Sequence, residues 1–288
     1  MREWPGAVFV APHMIMLALF MLAPTAYAIY TSLFTSKLIG GEHFSGLANY
    51  ATVLHSGEFW GGVVRVLVFA AVQVPVTIGL AFGLAVLLES GLVPGGRFFR
   101  TLFFLPYAVP GVVAALMWSF LLLPGFGSYA KLLDAIGLKG VNFFSGNLVL
   151  PTIIVIVIWE WTGYNLIVLH TSLTSIPKEV TEAALMEGAS FWRIALRIKL
   201  PMVMPSIVML AFLNGVGALQ LFTEPSILAT FQPQAISFGF TPTLFVYHTA
   251  VGSGLYNLGA AAAVILALLI GLISLGGLAI RRRQGEFR

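Results

Sequence analysis

The chain has 288 residues, of which 59% are hydrophobic and only 9% are charged. Since soluble domains carry about 25% charged residues, this composition excludes an ordinary water-soluble globular protein. The net charge is +4, but the Lys and Arg residues lie between apolar stretches instead of on one soluble face, so we expect no nucleic-acid partner.

Six apolar segments are long enough to cross a lipid bilayer. A hydrocarbon core of about 30 Å needs roughly 20 apolar residues per helix, because backbone amides in lipid must find their partners within the helix. The sequence therefore predicts an all-α integral membrane protein with one transmembrane domain over residues 1–288. The six predicted spans are residues 6–33, 62–88, 98–123, 148–173, 201–224 and 258–280.

The first segment has a second interpretation as a cleaved signal peptide. The small residues at 26–28 (Ala-Tyr-Ala) follow an apolar run, as they do at a signal-peptidase site. That run has roughly 20 residues, whereas the apolar region of a signal peptide has about 7 to 15. We predict an uncleaved helix, and cleavage would leave five spans in the same orientation.

The distribution of basic residues predicts the orientation of the spans. With a cytoplasmic N-terminus, four of the 15 Lys and Arg residues fall on the outer side and the other 11 on the inner side. The four outer residues are Lys37, Arg65, Lys131 and Lys139. Because Lys and Arg favour the cytoplasmic face, both termini are expected in the cytoplasm.

The fourth segment carries polar residues within an apolar helix. Glu160 is followed by Trp161, Tyr164 and Asn165. An ionisable group in a span is costly, so it is a functional hypothesis by default. Carboxylates accept hydrogen bonds from hydroxyl groups and aromatic rings cover the apolar face of a sugar, which makes these four residues candidates for a solute path. The alternative is that Glu160 is protonated, or paired with Arg65 or a backbone group inside the bundle.

The fifth segment offers a continuation of this path. Asn214 lies near its middle, and Gln220 and Glu224 lie toward its outer end. Hydrogen bonding between helices explains Asn214 and Gln220 equally well. For Glu224 the simpler interpretation is a position at the outer membrane interface.

The inner loop, residues 174–200, has the pattern of two short helices. Pro177 suits a first helical turn, and Glu179 places negative charge near the positive end of the helix dipole. Gly188 suits a left-handed helix end, and Ser190 suits the cap of the second helix. By composition alone, this loop would also fit a basic segment resting on anionic lipid headgroups.

The order of residues in this loop resembles the EAA loop of permease subunits in binding-protein-dependent ABC importers. That loop reads E-A-A, three residues, G, nine residues, I, one residue, L-P, and every spacing is matched. The resemblance implies a type I ABC importer permease whose loop is a coupling helix that docks on a separate ATPase. The residues carried over, with Glu187 where the sugar branch commonly has Asp, are Glu182, Ala183, Ala184, Glu187, Gly188, Ile198, Leu200 and Pro201.

Other stretches resemble the sugar and glycerol-phosphate permeases of this class. Residues 44–50 resemble their F-x-G-L-x-N-Y segment, and residues 173–178 resemble the L-x-x-I-P-K that leads into the EAA loop. Residues 97–106, 243–247 and 258–262 resemble further parts of those permeases. The resemblance therefore implies the transport of a sugar or related polyol, and none of these stretches identifies the solute.

The resemblance also implies partners and a location. The partners are two copies of an ATPase, a second permease subunit and an outer solute-binding protein, all meeting at a bacterial cytoplasmic membrane. The chain has no G-x-x-x-x-G-K-[ST], so ATP and Mg are expected in the ATPase partner. For this chain we expect no cofactor, no metal site and no catalytic activity.

Two alternatives compete with a sugar importer. One is a permease of the same superfamily for another solute class, such as peptides, phosphate or amino acids. The other is a proton-coupled secondary transporter with Glu160 as a proton relay, although such folds are usually built from inverted repeats that the sequence does not display.

Overall fold

The computed structural model describes residues 4–37, 41–137 and 141–283, and most of them are helical. The predicted all-α membrane fold is confirmed. Arg2, Lys139 and Arg288, which entered the orientation argument, lie outside the described residues.

Five stretches of the described chain are long and apolar enough to cross a membrane, and a bent helix pair brings the number to six when it is counted as one span. The five stretches are Val8–Ser32, Gly57–Glu89, Val149–Thr174, Met204–Phe231 and Tyr256–Gly277. The bent pair consists of Gly96–Ala108 and Gly111–Leu121, which meet at 94°.

The elements follow one another in this order. The helices are α1 Trp4–Leu17, α2 Ala23–Ser32, α3 Ala48–Leu54, α4 Gly57–Glu89, α5 Gly96–Ala108, α6 Gly111–Leu121, α7 Ser128–Ala135, α8 Val149–Thr174, α9 Lys178–Met186, α10 Phe191–Ile194, α11 Leu200–Met202, α12 Met204–Leu219, α13 Thr223–Phe231, α14 Pro242–Tyr247 and α15 Tyr256–Arg283. Wider π-helical turns at Ala18–Leu22, Ala195–Lys199 and His248–Gly252 follow α1, α10 and α14. The strands β1 Phe34–Lys37 and β2 Gly41–Phe44 form an antiparallel hairpin with Phe34 opposite Phe44.

The chain divides into two compact units, and the first consists of residues 1–63 and 238–272. In this unit the Asn49 amide donates hydrogen bonds to the carbonyl oxygens of Ser32 and Phe34 at 2.8 and 2.7 Å. The Tyr50 hydroxyl lies 2.6 Å from the Ser32 hydroxyl. The asparagine and tyrosine of the 44–50 segment therefore fix the chain where the first span ends.

Apolar packing holds the rest of the first unit. Phe59 meets Phe245 edge to face, with ring centroids 5.6 Å apart. A Cβ on Gly62 would lie 2.9 Å from the carbonyl oxygen of Gly239, so only glycine permits this approach of α4 to the segment before α14. The buried apolar residues of this core are Val53, Phe59, Phe245, Ala262, Ile265 and Leu266.

The second unit consists of residues 64–237 and 273–288. Helices α4, α8 and α12 enclose its core, and α5 crosses α8 so closely that a Cβ on Gly163 would lie 2.0 Å from the Phe103 carbonyl oxygen. The core residues include Ala81, Ala85, Val86, Leu166, Leu169, Leu173, Ala195 and Leu210.

The third crossing differs from the continuous helix that the sequence predicts over residues 98–123. Helix α5 ends at Ala108, and Val109 has extended backbone angles, φ −77° and ψ 125°. The residue before a proline is pushed out of the helical region, and here Pro110 follows Val109 and begins a new helix direction. The prolines of a membrane helix are often accommodated without a break, so the sequence did not single out this one.

Candidate functional site

Helix α8 carries four of the predicted path residues on two neighbouring faces. Glu160 and Tyr164 lie four residues apart, as do Trp161 and Asn165, so each pair shares a face. Glu160 is 5% exposed and Asn165 is completely buried, whereas Trp161 is 39% exposed. The polar groups at the centre of this span therefore point into the protein.

Asn165 and Asn214 face each other across α8 and α12. The Asn214 amide donates to Oδ1 of Asn165 at 2.9 Å, and the Asn165 amide is 3.4 Å from Oδ1 of Asn214. Each amide also donates to its own helix, to the carbonyl oxygens of Trp161 and Leu210, both at 2.8 Å. This pair links the helices, which is the structural alternative that the sequence left open for Asn214.

A cavity of about 150 Å³ lies beside this pair. Asn214, Trp161 and Gln220 line it, so three of the six predicted path residues share one cavity. Thr223 and Glu224, which begin α13, form another part of its wall. The sides of the cavity are apolar, with a few polar groups, as is usual in sites for small molecules.

Glu160 and Glu224 place two carboxyl groups in contact. Glu224 is only 9% exposed, and its carboxyl group is within hydrogen-bonding reach of that of Glu160. The break between α12 and α13 thus turns the Glu224 side chain toward α8, where protein encloses it. Oε1 of Glu160 is buried, and among the described residues it has no hydrogen-bond partner.

The carboxyl pair lies at the start of α6, just after the bend in the third crossing. A Cβ on Gly111 would be 3.4 Å from Oε1 of Glu224 and 3.9 Å from Oε1 of Glu160. The first N–H groups of a helix lack partners within the helix and carry partial positive charge. The start of α6 therefore provides a favourable environment for these two acidic groups.

Three aromatic rings form a cluster next to this region. Tyr107 stacks on Tyr164 with centroids 5.0 Å apart, and it meets Trp161 edge to face at 5.5 Å. Trp161 and Tyr164 are also in contact, at 6.1 Å. Tyr164 thus packs in an aromatic cluster, and it is not among the residues that line the cavity.

Sequence reasoning missed part of this site. Gln73 on α4 lines the cavity, is 2% exposed and donates a hydrogen bond to Thr77 at 3.0 Å. A glutamine inside a long apolar span points to a functional position for the same reason as Glu160 does. Gln73 could therefore have been predicted from the sequence. Tyr107 and Thr223 carried no such signal, because only the folded chain brings them to the site.

The inner loop forms the predicted pair of helices around Gly188. Helix α9 ends in a left-handed turn with Gly188 at φ 77°. The Ala189 N–H donates to the Ala184 carbonyl at 3.0 Å and the Gly188 N–H to that of Leu185 at 2.9 Å, the two bonds of a Schellman motif. Ser190 occupies the predicted N-cap position of α10, but its side chain makes no capping hydrogen bond.

The two alanines of the EAA motif lie on different faces of α9. Ala184 is buried, whereas Glu182, Ala183 and Glu187 are exposed. Met186 is 89% exposed, which is unusual for so large an apolar side chain. The loop therefore presents an acidic and apolar surface that the chain itself leaves uncovered.

The second half of the loop is anchored to the membrane helices. Lys199, at the end of the π-helical turn after α10, forms a largely buried ion pair with Glu89, the last residue of α4. Leu200 packs against the core of the second unit, Ile198 is half-buried and Pro201 is exposed. The I-x-L-P end of the motif thus ties the loop to the transmembrane core.

Known proteins are similar to this chain in sequence and in fold. The family described as "Binding-protein-dependent transport system inner membrane component" matches residues 76–283. The lactose transport system permease protein LacF of Rhizobium radiobacter is 32% identical over 76% of this chain and 74% of its own length. The sn-glycerol-3-phosphate transport system permease protein UgpA of Agrobacterium fabrum is 30% identical, over 73% and 72% of the two chains.

A solved structure gives the same result for the fold. A chain of the bacterial alginate ABC transporter, in complex with an alginate pentasaccharide-bound periplasmic protein, superposes with a TM-score of 0.87 at 22% identity. The superposition covers 99% of this chain and 96% of the other. With its matching family, relatives and fold, this chain belongs to the binding-protein-dependent transport system inner membrane components, the permease subunits of ABC transporters.

Proposed function

We propose that this chain is the membrane-spanning permease subunit of an ATP-driven importer for a sugar or related polyol. The observation that carries the proposal is the inner loop, where the EAA motif forms two helices around Gly188 and exposes Glu182 and Met186. Relatives named for lactose and sn-glycerol-3-phosphate support the solute class.

In this proposal a separate ATPase docks on the exposed face of α9. Glu182 and Glu187 offer carboxylates to basic partner residues, and Met186 offers an adaptable apolar contact. Closure of two ATPase subunits would move the loop, and the Glu89–Lys199 ion pair would transmit that movement to α4. ATP and Mg belong to the ATPase, and this chain performs no catalysis of its own.

The solute would pass the cavity between α4, α8 and α12. Gln73, Asn214, Gln220 and Glu224 offer hydrogen-bonding groups there, and Trp161 offers an apolar ring face. Such a combination suits hydroxyl-rich solutes. Among the described residues, none that line the cavity is Lys or Arg, which favours an uncharged solute, as named for the lactose relative, over an anion such as sn-glycerol-3-phosphate.

The other parts of the proposal follow from the family. A second permease subunit completes the pathway, and an outer solute-binding protein delivers the solute. Of the 15 Lys and Arg residues, 11 are assigned to the inner side and four to the outer side. This bias supports a cytoplasmic position for both termini and for the coupling loop in a bacterial membrane.

The experiment is purification of the tagged protein from native membranes in detergent, followed by mass spectrometry and an uptake assay in proteoliposomes. We expect an ATPase with a P-loop and a second permease to co-purify, and uptake to continue when the proton gradient is dissipated while ATP remains. Uptake by the chain alone that stops with the proton gradient would instead establish the secondary transporter.

A further inference from the structure

A second polar pocket, of about 250 Å³, lies away from the solute cavity. It opens between the start of α5 and the end of α8. Neither the EAA motif nor the solute path uses any of its residues. The residues that line it are Arg97, Arg100, Thr101, Phe104, Ile167, His170 and Thr171.

The pocket concentrates positive charge, and the nearby carboxylate, Glu89, acts on His170 electrostatically but forms its ion pair with Lys199. Among the described residues, no carboxylate lies within ion-pair distance of the guanidinium group of Arg97 or Arg100. His170 faces the same pocket and provides a further nitrogen. The first N–H groups of α5, at Gly96 and Arg97, add the partial positive charge of a helix start. Arginine forks match the geometry of phosphate oxygens, so this set of donors fits a phosphate group.

The depth of the pocket fits the surface of a membrane. Arg97 and Arg100 lie in the first turns of α5, and His170 lies four residues before the end of α8 at Thr174. With a rise of about 1.5 Å per residue, these groups lie within roughly 8 Å of the helix ends. This is the level of the lipid headgroups, where basic pockets between helices bind acidic phospholipids.

The end of the pocket that lies deeper in the membrane is apolar. Phe104 lies one turn deeper than Arg100 on α5, and Ile167 lies one turn deeper than His170 on α8. Ile167 is 37% exposed, so it offers a surface to an acyl chain. Polar groups at the membrane surface above apolar ones are the arrangement that an anchored phospholipid needs.

We propose that Arg97, Arg100 and His170 form a binding site for the phosphate group of an anionic phospholipid of the inner leaflet. The lipid joins α5 to α8 at their cytoplasmic ends and neutralises charges that no acid of the described chain pairs with. General attraction of basic loops to a membrane needs no pocket, whereas this arrangement predicts a bound molecule with a definite stoichiometry.

The test is native mass spectrometry of the purified transporter complex, titrated separately with dioleoylphosphatidylglycerol, dioleoylphosphatidylcholine and inorganic phosphate. We expect phosphatidylglycerol to bind in preference to phosphatidylcholine, and the variant Arg97→Gln/Arg100→Gln to weaken that binding about tenfold or more. The control variant Arg193→Gln/Arg197→Gln removes two exposed charges from the loop on the same side and should bind the lipid as the wild type does.

Each outcome of the titration either supports or overturns the lipid site. Tight binding of inorganic phosphate without phosphatidylglycerol would keep the phosphate site but assign it to a soluble ligand. Equal lipid binding in the wild type and Arg97→Gln/Arg100→Gln, equal loss in both variants, or no binding of either probe by the wild type would overturn the site. Where the double variant does not purify, the single variants Arg97→Gln and Arg100→Gln give the same comparison.

Discussion

The side chains of Asn165 and Asn214, 49 residues apart in sequence, exchange hydrogen bonds between α8 and α12 beside the cavity of about 150 Å³. Each amide is buried, so removing one partner leaves the other with unpaired polar atoms. We expect Asn165→Leu or Asn214→Leu to lower stability by about 0.5–2 kcal/mol, and the double variant to lose less than the sum of the two. Thermal unfolding in detergent measures this, and additive losses would contradict the pairing.

Removing one partner of the ion pair between Glu89 and Lys199 is also expected to lower stability. It should in addition weaken the coupling of transport to ATP hydrolysis. Breaking a buried pair typically costs about 3–5 kcal/mol, and the partial exposure of Glu89 reduces that here to roughly 2 kcal/mol. Lys199→Met should therefore destabilise the chain and lower the uptake per ATP hydrolysed, whereas Glu89→Leu/Lys199→Met should recover most of the stability. Full coupling in the stable double variant would show that the ion pair transmits no movement.

The crossing of α5 over α8 depends on the absence of a side chain at position 163. Gly163→Ala would place a Cβ 2.0 Å from the Phe103 carbonyl oxygen, so the helices must separate. Overpacking of this kind typically costs about 1–3 kcal/mol, seen as a lower unfolding temperature. Gly215→Ala on α12 is the matched control, because nothing lies within 4 Å of its added Cβ. Equal unfolding temperatures in the two variants would refute the close approach.

The coupling loop is tested by variants that leave the membrane helices unchanged. Glu182→Lys reverses an exposed charge of the EAA motif, and Gly188→Pro forbids the left-handed turn at φ 77°. We expect both proteins to reach the membrane, while uptake falls at least tenfold and the ATPase is released during purification. Glu179→Gln, which removes an exposed charge of the same helix outside the motif without placing a positive charge at the helix start, should leave both properties near those of the wild type. Normal uptake in Glu182→Lys and Gly188→Pro would remove the coupling role.

The carboxyl pair is expected to select the solute. Glu160→Gln and Glu224→Gln each replace an acidic group by an amide of the same shape, and a lost charge-assisted hydrogen bond weakens binding by about tenfold or more. Titration of the purified complex with glucose and glucuronate, followed by tryptophan fluorescence, compares a neutral with an acidic pyranose. We expect the wild type to prefer glucose and Glu160→Gln/Glu224→Gln to lose that preference. An unchanged preference in this variant would take the pair out of the solute path.

Local signals in the sequence predicted the inner loop better than the membrane site. Gly188 was expected in a left-handed conformation from its place after a run of helix formers, and that is where it lies. Ser190 was expected to cap α10, but the chain already turns at the Schellman motif and the hydroxyl makes no such bond. Helix ends are specified by neighbouring residues, which is why the two helices of the inner loop could largely be predicted from the sequence.

The contact between Glu160 and Glu224 could not be predicted, because it depends on two breaks in different spans. Hydropathy follows length and polarity along a single helix, so it placed Glu224 at the end of a span and treated residues 98–123 as continuous. The bend after Ala108 and the turn before Thr223 become apparent only when α6 and α13 have packed together. The domain and the polar residues of its spans were visible in the sequence, whereas the contact between Glu160 and Glu224 was not.

The bend of 94° between α5 and α6 has a consequence for water. A straight helix carries no free amide through a bilayer, but a helix that restarts at Gly111 has a new set of N–H groups without partners inside the helix. Hydrocarbon does not tolerate such groups, so they must be hydrated or enclosed by protein. Amide hydrogens of the first turn of α6 should therefore exchange with deuterium sooner than those in the middle of α8, which would make the bend a wetted point inside an otherwise dry layer.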